Sequence, residues 1–570
     1  MHDLVIRGGT VIDGTGTLRR EADVAVDGDT ISAVGHDISR GRREIDARGL
    51  LVTPGFVDIH THYDGQATWD PFLTPSSWHG VTTAVMGNCG VGFAPVRPGT
   101  APALINLMEG IEDIPGTVLA EGVKFNWQTF PEYLDVLDRA PKAIDIGAQM
   151  PHAALRYFAM GDRGLDHAAN PTDGEIAAMG EMLEEALHAG ALGFTTSRTV
   201  KHRARDGRLT PSLSAREPEL FGLAAAMKRA GRGVIEVNSD FGEGEFDILE
   251  AAARAAGRPL SVLLLQVNNA PELWRDTRDR IHAARTAGLD VTGQVGSRPI
   301  GVMWGLETSN HPFSTHPAWI ALSRFSPKER YDRLMRDADL RRVLVEQRPS
   351  DDHTRMIEAA LPRTYALDDS YDYEPHTDDS ISARAARAGT SPWALALETM
   401  LADGGKRLLT HTFENYYWGD LEVVRELMDD DYTVMGLGDG GAHVCTICDS
   451  SAPTFVLTHW ARDRKRGERL PLEYLVRKQT AATAHSYGLN DRGVLAPGYR
   501  ADINVIDFDR LRVMPHEVVY DLPAGGKRLM QRAQGYRHTF VAGVETVCSD
   551  EHTGALPGRL IRQGTSEPTP

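Results

Sequence analysis

From residue 50 onward, short apolar runs recur along this 570-residue chain, near 50–59, 81–88, 143–150, 190–197, 232–239, 259–267, 290–296 and 432–438, each followed by sequence that reads as helix. Apolar runs of this length suit strands buried on both faces, the mark of a parallel sheet whose crossovers are helices. Eight such units predict an α/β fold in which the strands close on themselves, a (β/α)8 TIM barrel. The crossover Asp173 to Ala189 illustrates the pattern, with apolar residues at helical spacing and Gly190 at its end.

Two kinds of segment break the rhythm. Residues 3–12 and 23–35 alternate apolar and polar around Gly and Asp turns, and the same alternation returns in 493–509 and 536–547. The two ends are therefore expected to pair into a small β-sandwich domain, with residues 1–50 as its N-terminal part, 51–489 as the barrel and 490–570 as its C-terminal part and tail. Residues 92–142 and 297–431 are too long for ordinary loops and are expected to be lids or substrate-binding insertions above the strand ends. The final GTSEPTP, 564–570, is expected to be disordered.

The stretch GFVDIHTH, 55–62, carries the clearest chemistry. Leu50 to Val57 reads as one buried strand with a bend at Pro54 and Gly55, and it ends in two imidazoles spaced i, i+2. In a strand that spacing puts His60 and His62 on one face, where both can grip one metal ion; the alternative is a turn pair satisfied by backbone carbonyls. Charge excludes other partners: 61 Lys and Arg against 79 Asp and Glu leave a net −18, which disfavours nucleic acid and anionic membrane surfaces. No segment approaches the ~20 apolar residues of a membrane span. The four cysteines, Cys89, Cys445, Cys448 and Cys548, are too few for a disulfide framework and fit a reducing, cytoplasmic compartment.

Four motifs in order, VIRGGTVIDGTG, GFVDIHTH, HGVTTAVMGNCG and GVLAPGYRADINVID, resemble the amidohydrolase superfamily, and most of all its D-aminoacylase branch, the N-acyl-D-amino-acid deacylases. The resemblance spans nearly the whole chain and implies a metal-dependent hydrolase that cleaves an amide to a carboxylic acid and a D-amino acid, using one or two zinc ions. By position, it implies that His60, His62 and Cys89 are metal ligands and that Asp439, in VMGLGDGGAH, is both a ligand and the catalytic acid–base group. The chain departs from the family where histidines are expected after the fifth and sixth strands: Asn238, and Asn268 or Asn269, stand there. Asp240, His411 and His443 are the spare donors, with a hydrogen-bonding role for His443 and a loop position for His411 as the plainer readings.

A free substrate carboxylate calls for a bidentate cation, which suggests Arg198 after strand four and Arg298 after strand seven, each equally readable as a structural salt bridge. His152, after strand three, is a further candidate for a polar contact. Met303, Trp304, Tyr416, Tyr417 and Trp418 are candidates either for an apolar acyl pocket or for packing within the insertion. The loop KHRARDGR, 201–208, reads as a solvated turn, and Cys445 and Cys448 lack the second pair of a structural zinc site. The expected partner is a small N-acylated molecule, with a homo-oligomer allowed. The rival readings are a superfamily enzyme acting on a cyclic or natural-product amide, and a ligand-binding barrel that has lost its metal.

Overall fold

The computed structural model describes residues 1–367, 372–562, 564 and 568, so most of the 564–570 tail lies outside the described residues. Eight parallel strands form the centre of the molecule: strand one Phe56–Thr61, two Val81–Met86, three Asp145–Ala148 continuing into Met150–Pro151, four Gly193–Arg198, five Val234–Ser239, six Leu260–Leu263, seven Val291–Val295 and eight Thr433–Met435. Strands one to three pair in order, as do three to eight. The ring closes just beyond strand eight, where Thr61 bridges Gly440, the Asp439 amide donates to the His60 carbonyl at 2.9 Å and the His62 amide to the Gly440 carbonyl at 2.7 Å.

The crossover helices follow from local chemistry. Asp173–Ala189 starts at a capping box, in which Thr172 accepts from the Glu175 amide and Glu175 reaches back, and it ends at Gly190 with φ 118°, a left-handed conformation that glycine adopts without strain. It buries Met179, Leu183 and Leu187, about 1.5–3 kcal/mol of hydrophobic stabilisation for each large side chain.

The expected single strand Leu50 to Val57 is two. Leu51–Pro54 joins the sheet made by the chain ends, and the barrel strand begins at Phe56. Gly55 is the reason: a Cβ there would lie 2.1 Å from the Thr82 hydroxyl, so only glycine lets the chain pass from one sheet to the other. On the other side Leu51–Pro54 pairs with Ile503–Ile506, which pairs with Tyr536–Val541, so both ends of the chain share one nine-stranded sheet. Its core is Leu4, Ile6, Val24, Val52, Ile503, Val505 and Phe540.

Residues 92–142 fold as three helices, Ala101–Glu112, Gly116–Gly122 and Phe130–Arg139. Within 297–431, an antiparallel sheet of Ile300–Trp304, Thr364–Ala366 and Leu409–Glu414 sits with helices around a core of its own, which includes Trp304, Trp319, Leu344, Ile357 and Trp393. A long hairpin, Arg512–Leu522 with Gly526–Gln534, was not foreshadowed by the alternation read from the sequence. Among the described residues, no helix is long and apolar enough to cross a membrane.

One buried carboxylate ties the barrel to the end sheet. Asp145 on strand three accepts from Arg492 at 2.8 Å, from Arg500 at 3.0 Å and from the Arg559 amide at 2.9 Å. Asp145→Ala would leave two buried guanidinium groups short of their counter-ion, and is expected to lower the free energy of unfolding by about 3–5 kcal/mol in a denaturant titration. A loss below about 1 kcal/mol would show that the tie is dispensable.

Candidate active site

The site lies at the carboxyl ends of the strands, the face on which barrel enzymes gather their chemistry. Asp58, His60 and His62 alternate inward from strand one, and the His60 amide donates to Asp58 at 3.1 Å. Asp58 in turn makes a glycine obligatory across the ring: a Cβ on Gly438 would lie 2.0 Å from its carboxylate oxygen.

The GNCG segment places the cysteine. Asn88 is fully buried and donates to the carbonyls of Thr61 at 3.0 Å and Val85 at 2.9 Å while accepting from Gln149 at 2.8 Å, which fastens the tips of the first three strands together. Cys89 follows with φ 54°, a conformation costly for a residue with a Cβ, and its amide is satisfied by the Glu236 carboxylate at 3.0 Å. Asp439 (φ 48°) and His443 (φ 47°) share this left-handed backbone. Three of the side chains that face the cavity are thus held in conformations that the surrounding packing must enforce.

His60, His62 and Cys89 form a buried cluster whose donor atoms lie within 4.8 Å of one another. His60 Nε2 is 3.4 Å from Cys89 Sγ and 3.5 Å from Asp439 Oδ1, and His62 Nε2 is 3.8 Å from the same oxygen. A zinc ion bonded at about 2.0–2.3 Å sets neighbouring donors about 3.2–3.8 Å apart, a range that holds these three separations, and thiolate and imidazole are donors that suit zinc. On the far side of the His60 ring, Nδ1 meets Gln294 Oε1 at 2.8 Å, and that contact, read as donation from Nδ1, leaves the Nε2 lone pair facing the cluster. His62 Nδ1 faces Glu112 Oε1 at 3.3 Å, and the other Glu112 oxygen is 3.8 Å from His443.

Burial shapes the protonation of this cluster. It pushes the Cys89 thiol and the Glu112 and Asp439 carboxyls well above their ordinary ranges, and Glu236 up to about 8. It pushes His60 and His443 down to about 4, and His62 well below its usual value. A divalent cation among these groups opposes every one of the acid shifts, since it favours thiolate and carboxylate.

The structure brings together His60, His62, Cys89 and Asp439, with His443 and Asp240 on the wall of the same cavity, which has a volume of about 270 Å³. It sets the other candidates elsewhere. His411 stacks on Trp304 with ring centroids 5.5 Å apart and turns to the Arg363 carbonyl. His152 is buried between Thr196 and Glu219, at 2.9 Å from each. Arg198 is paired with Glu245, and Arg298 with Asp449 at 3.0 Å, its guanidinium 4.5 Å from the Tyr373 ring centre. Both arginines are the structural salt bridges that the sequence also allowed. Trp304 packs inside the 297–431 insertion, Met303 packs with Leu367, Leu408, Cys448 and Leu529, Tyr416 is buried with its hydroxyl on the Pro375 carbonyl, and neither Tyr417 nor Trp418 lines the cavity.

Five contributors escaped the sequence reading. Glu236 and Gln294 are long polar side chains within largely apolar strands, a signal the sequence carries; Glu112 and Trp274 sit on ordinary amphipathic helices and carry none. The fifth, His202, belongs to the loop 201–208, which is not wholly a solvated turn: the imidazole lines the cavity with Nε2 3.4 Å from Asn238. Asn238 stands 3.4 Å from Cys89 Sγ, Asn269 is on the wall, and Asn268 donates to the carbonyls of Thr412 and Phe413.

A closed barrel with two histidines, a cysteine and an aspartate converging at its carboxyl-terminal mouth defines a hydrolase of the (β/α)8 class. Residues 43–547 match the amidohydrolase family, and the chain belongs to it. It is 29% identical to the D-aminoacylase of Alcaligenes xylosoxydans xylosoxydans over 98% of this chain and 97% of that one. The N-acyl-D-glutamate deacylase of the same organism is 30% identical over 99% and 97%. Among solved structures, a D-aminoacylase with a binuclear metal centre is similar with a TM-score of 0.66 at 26% identity, covering 99% of this chain and 100% of its own. The N-acyl-D-glutamate deacylase of Bordetella bronchiseptica, complexed with zinc and a phosphonate inhibitor, gives 0.65 at 26% identity, covering 98% and 99%.

Because burial keeps Cys89 protonated in the metal-free protein, zinc uptake is expected to release a proton. Titration calorimetry in two buffers of different ionisation enthalpy checks this, and affinity should fall as pH falls. Elemental analysis of His60→Ala/His62→Ala is expected to show the zinc of the wild type lost. Equal zinc in both proteins would place the metal elsewhere.

Proposed function

We propose that the protein is a zinc-dependent hydrolase that cleaves the amide bond of an N-acyl-D-amino acid or of a related N-acyl compound. The observation that carries this reading is the buried cluster of His60, His62 and Cys89 on the lining of one cavity, with Asp439 3.5 and 3.8 Å from the two imidazoles. Zinc held by His60, His62 and Cys89, with Asp439 beside it, would polarise the scissile carbonyl and bring the pKa of an attacking water to about 7.

The chain's own groups divide the remaining work. Asp439 is 11% exposed, the most open member of the four, and faces both imidazoles from the cavity side. It is placed to take the proton of the attacking water and then deliver it to the leaving nitrogen, one group serving as base and then as acid. Gln294 and Glu112 orient the two imidazoles from behind, and Glu236 holds the Cys89 turn by its amide. The wall beyond the floor is apolar, with Leu263, Leu265, Leu273, Trp274, Ile300 and Leu437 around it, which suits a hydrocarbon acyl or side-chain group and excludes water from the reacting bond. All four cysteines are free thiols, which supports a cytoplasmic location.

Asp439→Asn is expected to cut kcat by about 10²–10⁴-fold while elemental analysis still finds zinc on the other three ligands. Unchanged turnover would remove Asp439 from the proton-transfer role. Glu112→Gln is expected to weaken zinc binding by about 10–100-fold in a competition assay with a chelator, since it disturbs the group behind His62.

A further inference from the structure

The charge on the cavity wall narrows the substrate class, and this step rests on the amide-hydrolase reading above. A site that selects a free amino-acid carboxylate needs an available cation. Among the described residues lining the cavity, Lys201 is the single lysine or arginine. Its ammonium is already engaged: it forms an ion pair with Glu414, a 4% exposed residue on the wall, and stands 5.7 Å from the centre of the Phe413 ring. Asp240 adds a second carboxylate near Glu414. Its oxygens accept from the Thr199 hydroxyl at 2.6 Å and the Val200 amide at 2.8 Å, neutral donors that leave its charge in place. The arginines that could have answered a substrate carboxylate, Arg198 and Arg298, are buried against Glu245 and Asp449.

This end of the cavity therefore presents two carboxylates and one ammonium, an excess of negative charge next to an apolar wall. A substrate carboxylate entering there would meet like charge in a recessed setting, where a separation of about 5 Å at intermediate dielectric is enough to cost an order of magnitude or more in binding. We infer that the site takes an apolar N-acyl amine whose amine half bears no free carboxylate, such as an amino-acid amide, and discriminates against the corresponding free acid. Lys201 and Glu414 act here as a self-neutralised pair that denies the substrate its counter-ion, and Asp240 supplies the repulsion.

The test compares N-acetyl-D-leucinamide with N-acetyl-D-leucine, measured by titration calorimetry on the Asp439→Asn protein, with and without zinc, so that neither ligand is consumed. The amide is expected to bind at least about tenfold more tightly than the acid in both forms. Asp240→Asn, which spares the Lys201–Glu414 pair, is expected to narrow the gap by strengthening binding of the acid, and Glu414→Gln to narrow it further by freeing Lys201. Equal or tighter binding of the free acid, or no binding of either ligand, would overturn the inference. Turnover of the two compounds by the zinc-loaded wild type is read separately. A clear binding preference without any hydrolysis would defeat the hydrolase reading and leave the selectivity intact, whereas hydrolysis with the acid preferred would do the reverse.

Discussion

The site depends on how the barrel closes. Strand eight is short, and beyond Met435 the ring is sealed by backbone hydrogen bonds from Asp439 to His60 and from His62 to Gly440. The peptide groups that complete the barrel are thus those of the residues that present the donor atoms. This couples architecture to chemistry more tightly than a loop-borne site would: any slip of strand eight against strand one moves Asp439 relative to both imidazoles, and the Gly438 contact with Asp58 leaves almost no room for such a slip.

Electrostatics then determine what that geometry is for. Cys89, Glu112, Glu236 and Asp439 are acids driven by burial toward their neutral forms, set among imidazoles driven the same way. Such an assembly costs stability if it is merely structural, since buried polar groups contribute best when fully partnered, and oxygen atoms of Glu112 and Glu236 have no hydrogen-bond donor. A divalent ion held by His60, His62 and Cys89 would favour the thiolate and carboxylate forms instead. The left-handed backbone at Cys89 and Asp439 belongs to the same account, because strain of this kind persists where the surroundings insist on one orientation.

Much of this was legible in the sequence, for reasons specific to the segments concerned. The apolar strand runs and the capped helix at Asp173–Ala189 are local signals, and strand-tip donors such as His60, His62 and Cys89 stand out because polar, metal-binding residues are unexpected at the end of a buried strand. The first strand divides into two elements because Leu50 to Val57 is apolar but for Thr53, and hydropathy carries no mark of the transfer between sheets that Gly55 permits. Arg198 and Arg298 show the limit of positional reasoning: their place after a strand is real, but what occupies a guanidinium depends on Glu245 and Asp449, which lie 47 and 151 residues away. Long-range pairing of that kind, like the approach of Glu112 to His62 and of His202 to Asn238, leaves no trace in a single chain read residue by residue.

The insertion between strands seven and eight packs around its own aromatic core, and it reaches the cavity through little more than Ile300, Phe413 and Glu414. The ligands and the proton-transfer residue come from segments outside it. The molecule is in this sense modular: substitutions in the insertion's core can drift, or a whole helix be replaced, while the groups presented by strands one, two and eight are left untouched. A lineage built on such a plan can change the compounds it consumes by remodelling a few wall positions, without having to reinvent the bond-breaking step.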